Sequence, residues 1–175
     1  MDKGFGFRLL RADEIEARVS QISKKGDGVQ LLLYKNARCD MNILDETVGA
    51  ANWQRKHYDC KGNLFCSVGI RIGNEWIWKD DCGEESNQSA EKGEASDSFK
   101  RACVNWGIGR ELYTAPFLWV PAEKTNIVSG QGGKFICKDR FTVEKIAYDD
   151  QRRIVGVSIL NSQKQRAVVS SKKEV

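Results

Sequence analysis

Between residues 52 and 80 the chain passes three times through a strand-like pattern with only short turns in between, and few folds can absorb that. "NWQRKHYD" (52–59) puts Trp53, Arg55 and His57 on one face and Gln54, Lys56 and Tyr58 on the other. "LFCSVGIRI" (64–72) gathers Leu64, Cys66, Val68, Ile70 and Ile72 opposite Phe65, Ser67, Gly69 and Arg71, and "EWIWKD" (75–80) sets Trp76 and Trp78 on one side. Lys61-Gly62-Asn63 and Gly73-Asn74 read as the turns, so the three runs are predicted to pair as an antiparallel meander. A meander with one apolar face has to cover it.

Residues 89–107 supply the cover. Ala95, Phe99, Ala102, Cys103 and Trp106 line one stripe at helical spacing, and Gly107 ends the run. Upstream, the spacing of Leu9, Leu10, Ile15, Val19 and Ile22 predicts a short amphipathic helix with Asp13 and Glu14 at its positive end. A turn at 24–28 then leads into a strand, "VQLLLY" (29–34), and a helix over 40–49 that starts at Asp40, buries Met41, Leu44 and Val48 and stops at Gly49. Downstream, "FLWV" (117–120) is a connection or short strand, and "SGQGGK" (129–134) a mobile loop, because three glycines offer little packing. Residues 140–148 and 152–160 form a late hairpin. These elements predict an α+β fold in which an antiparallel β-meander packs against a long helix, with a β-hairpin following. The 175 residues suffice for one domain, taken as 1–160, followed by a basic, flexible C-terminal end at 161–175.

Enzyme chemistry finds no foothold. The carboxylates of "DDCGEE" (80–85) suggest a magnesium-dependent nuclease, but no second acidic group at a recognisable spacing completes such a site, and solvated charges or intersubunit salt links explain them better. The six cysteines contain no CxxC pair and His57 is the only histidine, which argues against a zinc site and against cysteine catalysis. With no phosphate-binding glycine loop either, no enzyme activity, metal or cofactor is expected. The cysteines read as reduced thiols, no apolar window is long enough to span a membrane, and a soluble cytoplasmic protein is expected.

Binding chemistry does better. The net charge of +4 permits an anionic partner without demanding one. Arg55, Lys56, His57 and Lys61 surround the first meander turn beside Tyr58 and Phe65, a combination of phosphate-neutralising groups and rings. On the long helix, Asp97 and Arg101 stand at the acid-first four-residue spacing, whereas Lys92, Ser96 and Lys100 form a stripe with no acid at that spacing, so Lys100 is expected to be the free cation. A solvated helix face is the competing explanation for Lys100 and Arg101. Strand and helix periodicity already account for Trp53, Trp76, Trp78 and Trp106 as core or subunit contacts.

With those residues placed, residues 7–113 resemble the single-strand annealing proteins of the Rad-fifty-two family, particularly short versions carried by phages. "LLYKNARCDMNILDETVGAANWQRKHYD" is similar to the family's helix leading into a "GW" strand start, with Asn52-Trp53 in place of that pair. "CSVGIRI" and "WIWKDDCGEE" resemble its next strands, and "KGEASDSFKRACVNWGIGRELY" its long helix with a lysine-arginine pair and an aromatic-glycine step. The resemblance implies ATP-independent binding of single-stranded DNA and annealing of complementary strands in recombination and repair, by an oligomeric ring or arc. It implies that Lys100 and Arg101 line the floor of a DNA groove and Arg55 and Lys56 its wall, with His57, Lys61 and Lys92 as further DNA-binding candidates and Asp97 and Trp106 as support or intersubunit residues. Implied partners are single-stranded DNA, further copies of the chain and replication or recombination proteins of a host or phage. The competing functions are a ring-forming structural or RNA-binding module that does not anneal and, third, the nuclease.

Overall fold

The computed structural model describes residues 6–83 and 90–171, without the side chains of residues 90–92 and 171. In chain order the main elements are β1 (Ile15–Ile22), β2 (Gly28–Lys35), α1 (Ala37–Val48), β3 (Trp53–Cys60), β4 (Asn63–Ile72), β5 (Glu75–Cys82), α2 (Ala90–Trp106), β6 (Leu118–Pro121), β7 (Ile127–Ser129), β8 (Phe135–Cys137), β9 (Phe141–Tyr148), β10 (Ile154–Leu160) and β11 (Arg166–Ser171). The fold is α+β. The chain gathers into two compact units, one made of Lys35–Arg110 with the described residues up to Leu9, the other of Leu10–Tyr34 with the described residues from Glu111 onward.

The first unit holds the expected meander. β3 pairs with β4 from Trp53 opposite Ile70 to Cys60 opposite Asn63, and β4 pairs with β5 from Phe65 opposite Cys82 to Ile72 opposite Glu75. Lys61 and Gly62 both take positive φ, 55° and 76°, the backbone of a two-residue turn whose twist matches that of the strands. Along β4 the side chains of Cys66, Val68 and Ile70 are buried, as are Phe99, Ala102 and Cys103 of α2, which lies along β4 and β5. Burying a side chain such as Phe99 contributes roughly 1.5–3 kcal/mol, which is the force that holds helix to sheet. The approach is close where β5 ends. A Cβ on Gly83 would sit 2.3 Å from the carbonyl oxygen of Glu94, so only glycine admits the helix there. At the other end of α2, Gly107 at φ 102° turns the chain; its N–H donates to Val104 O, and that of Ile108 to Cys103 O, satisfying the last carbonyls.

α1 begins three residues earlier than the sequence suggests. Asn36 caps it by accepting a hydrogen bond from the Cys39 N–H at 3.0 Å, and Gly49 ends it as expected. Asp40, expected at the helix start, is instead fully buried one turn inside, together with Cys39, Ile43 and Leu44, while Met41 and Val48, expected to be buried, are half-buried.

The second unit is built on a six-stranded antiparallel sheet in the order β11-β10-β9-β1-β2-β6, which curls until β11 lies beside β6 and the barrel is nearly closed. Its interior is filled by Ile15, Val29, Leu31, Leu118, Val120, Val143, Ile154 and Ile159, among other buried side chains. Three expectations fail here. The amphipathic helix over 9–22 is a 3-10 turn at Ala12–Glu14 followed by β1: Ile15 and Ala17 point inward and alternate with Glu16 and Arg18, and strand pairing on both sides, to β2 and β9, outweighs the local helical spacing. The glycine-rich stretch is a tight connection between β7 and β8, closed by the Gly130 N–H donating to Lys134 O at 2.7 Å. Within the end expected to fray, Asn161 is buried and its Oδ1 accepts from the N–H groups of Gln163 and Gln165, turning the chain back so that β11 pairs with β10 and buries Ala167 and Val168. The late hairpin itself is present as β9 and β10, with Asp149 organising its turn through the N–H groups of Gln151 and Arg153.

Candidate nucleic-acid interface

Period-two alternation in β3 decides where its cations go. Arg55 and His57 fall on the face that α2 covers: the Arg55 guanidinium lies 4.5 Å from the Phe99 ring centroid, and His57 Nε2 is 3.0 Å from Ala95 O. Lys56 falls on the opposite face, its ammonium 4.4 Å from the Trp78 ring centroid. Arg55 and Lys56 therefore stand on opposite faces of the sheet rather than forming one wall. Lys61 is exposed in the β3–β4 turn. Lys92 lies on α2 with its side chain outside what is described, and Glu84 and Glu85 of the acidic stretch lie outside the described residues.

α2 turns Phe99, Ala102 and Cys103 inward, which leaves Lys100 and Arg101 at the margins of its buried stripe. Their partners differ from those expected. Asp97 Oδ1 stands 3.6 Å from Lys100 Nζ at three-residue spacing, so Lys100 has an acid on its own helix. Arg101 Nε reaches Asp81 Oδ1 on β5 at 3.3 Å. The Asp81 carboxylate is itself fixed, accepting from the Cys82 N–H at 2.9 Å and from Asn105 Nδ2 at 3.4 Å. Trp106 is half-buried: its indole N–H donates to Val68 O at 2.9 Å, and Lys79 lies over its ring while donating to Asn105 O at the negative end of the helix.

Behind Lys100 is a feature the sequence reading missed. Lys35 and Asp40 form a buried ion pair, and Lys35 Nζ also donates to the backbone carbonyl of Lys100 at 3.2 Å. The signal was present: Val29, Leu31, Leu33 and Lys35 share one face of β2, and a lysine in register with three buried aliphatics needs a partner. Trp76 and Trp78, set on one side of their strand and expected as core or subunit contacts, are both exposed on the face of the meander away from α2, with ring centroids 6.2 Å apart. Trp78 also crowds Gly69 so closely that a Cβ there would come within 2.8 Å of the indole. On the same face Tyr58 stacks on Phe65, and its hydroxyl donates to Asp80, which also holds Ser67.

The chemistry of this unit is that of cations and rings, with inert thiols at Cys66 and Cys103. Burial pushes the Cys66 thiol up to about 11 and that of Cys103 well above its ordinary value, so neither supplies a thiolate at neutral pH. Among the described residues no group of three or more histidine, cysteine or acidic side chains is placed to hold a metal ion, and no helix is long and apolar enough to cross a membrane.

Comparison with known proteins adds three findings. A family model described as Rad52/22 family double-strand break repair protein matches residues 8–128, which takes in α2 and the meander whole. The single-stranded DNA-binding protein DdrA of Deinococcus radiodurans is 34% identical over 91 residues, a stretch that is 51% of this chain and 43% of that relative. No solved structure matches.

Proposed function

The chain belongs to the Rad52/22 family of double-strand break repair proteins, and from that premise we propose that it binds single-stranded DNA and anneals complementary strands without ATP, as an oligomeric ring or arc. The observation that carries the reading is the Lys100–Arg101 pair at the margin of α2, braced from behind by Lys35 and with the exposed Arg55 and His57 of β3 on the same side of the meander as the helix. Such cations neutralise phosphates whatever the base sequence, and Watson–Crick pairing supplies the free energy of annealing, so neither a nucleophile nor a bound nucleotide is needed. The name of the Deinococcus relative, a single-stranded DNA-binding protein, supports the same substrate. Lys56 and Lys61 belong to the proposal as contacts on the other meander face and at its turn.

Fluorescence anisotropy with oligo-dT tests it, alongside light scattering for the oligomer. Wild-type binding should weaken steeply with added NaCl, each neutralised phosphate adding about 0.7 to the log–log slope. Lys100→Ala and Arg101→Ala should each bind more weakly with oligomer mass unchanged. Wild-type affinity in both variants would mean that the two cations only solvate their helix.

A further inference from the structure

The two central cations carry their counterions in the fold itself. Asp81 is anchored by Asn105 and the Cys82 N–H and meets Arg101, while Asp97 meets Lys100 along α2. None of these four side chains is deeply buried, so both pairs are of the weak, exchangeable kind that a phosphate can open. Resting on the nucleic-acid reading above, we infer that Asp81 and Asp97 are built-in competitors of the DNA phosphates, holding strand affinity below what Lys100 and Arg101 could give and so permitting the strand to leave once it has paired. Phosphate binding at either cation displaces a carboxylate, and that carboxylate then takes up a cation from solution. Fewer counterions are released per phosphate contact than the contact count implies, so the salt dependence is shallower than for cations that begin unpaired. An acid that merely aimed its partner at DNA would act in the opposite direction, because removing it would loosen the grip.

Oligo-dT anisotropy across a NaCl series on Asp81→Asn, Asp97→Asn and the double variant separates the two roles. Asp149→Asn serves as the control because it makes the same change in net charge at an ion pair of the other unit, with Arg153. Each of the two test variants should bind about two- to fivefold more tightly at low salt, with a log–log slope steeper by up to about 0.7 per variant. The double variant should exceed both, and Asp149→Asn should match wild type. Asp97→Asn, on a half-exposed helix surface, keeps the test valid if Asp81→Asn disturbs β5, and thermal melts verify folding. Unchanged or weaker binding in the folded variants, an unchanged slope, or an equal gain in Asp149→Asn overturns the inference while wild-type binding stands. Wild-type protein that does not bind oligo-dT overturns the nucleic-acid reading, and this inference with it.

Discussion

The buried pair of Lys35 and Asp40 makes the sharpest stability prediction. Asp40 is fully buried and Lys35 nearly so, and the lysine stem lies so close to Gly109 that a Cβ there would come within 2.4 Å of it. Asp40→Asn preserves shape but leaves the ammonium in an apolar setting with the Lys100 carbonyl, a neutral dipole, still beside it. Removing one member of a buried pair costs about 3–5 kcal/mol. For a chain of this length each kcal/mol shifts the midpoint by roughly 2–4 °C, so Asp40→Asn should melt about 6–20 °C lower. Lys35→Met should fall in the same range. The double variant Lys35→Met/Asp40→Leu removes both charges and should return close to wild type, because the desolvation penalty disappears together with the attraction. Four of the five tryptophans, Trp53, Trp76, Trp78 and Trp106, belong to this unit, so tryptophan fluorescence during urea unfolding follows it selectively. Single variants that lose less than about 1 kcal/mol, or a double variant that loses the sum of the singles, would refute the argument that these charges depend on each other.

Three further outcomes follow from the same geometry. Gly83→Ala should destabilise the meander unit by several kcal/mol, of the order of severe overpacking, because its Cβ meets helix backbone rather than a side chain that can swing away; urea unfolding measures it. Iodoacetamide at pH 8 should modify the exposed Cys60 in the native protein and spare Cys39, Cys66 and Cys103 until denaturant is added, as read by peptide mass spectrometry. Glu144 is held at about 2 by hydrogen bonds from Arg166 and then Ser158, so its stabilising effect should be complete above the ordinary glutamate pKa and vanish as pH falls through about 2; an NMR titration should show it ionised at pH 3, and Arg166→Ala should move its midpoint upward.

Much of the meander unit is written locally. Cys66, Val68 and Ile70 repeat with period two, Phe99, Ala102, Cys103 and Trp106 repeat with period 3.6, and each pattern has one structural solution once its neighbours are short turns. The barrel unit is written less clearly, because its strands are joined across long sequence separations. Ile15, Val19 and Ile22 satisfy helical spacing, yet Ile15 and Ala17 also satisfy alternation, and the choice belongs to β2 and β9, the latter more than a hundred residues away. The polar run after Leu160 looks ready to fray until Asn161 folds it back over a sheet that already exists.

The partners of Lys100 and Arg101 show where local rules stop. Four-residue spacing singles out Asp97 for Arg101, but three-residue spacing serves Lys100 equally well, and both lie within reach on a helix surface. What separates them is Asp81, delivered to Arg101 from β5 by a strand register in which Asp81 pairs opposite Cys66, on the face that α2 covers. Register is set by the whole meander, so the electrostatics of the helix are fixed by residues twenty positions earlier in the chain. A one-residue slip of β5 would turn Trp76, Trp78 and Asp80 together to the helix side and send Asp81 to the face they now occupy, leaving Arg101 without that acid and Tyr58 without its acceptor. The charge state around Lys100 and Arg101 is therefore a property of strand pairing, and on the nucleic-acid proposal substitutions in the Gly73-Asn74 turn that shift the register should alter strand affinity without touching a single cation.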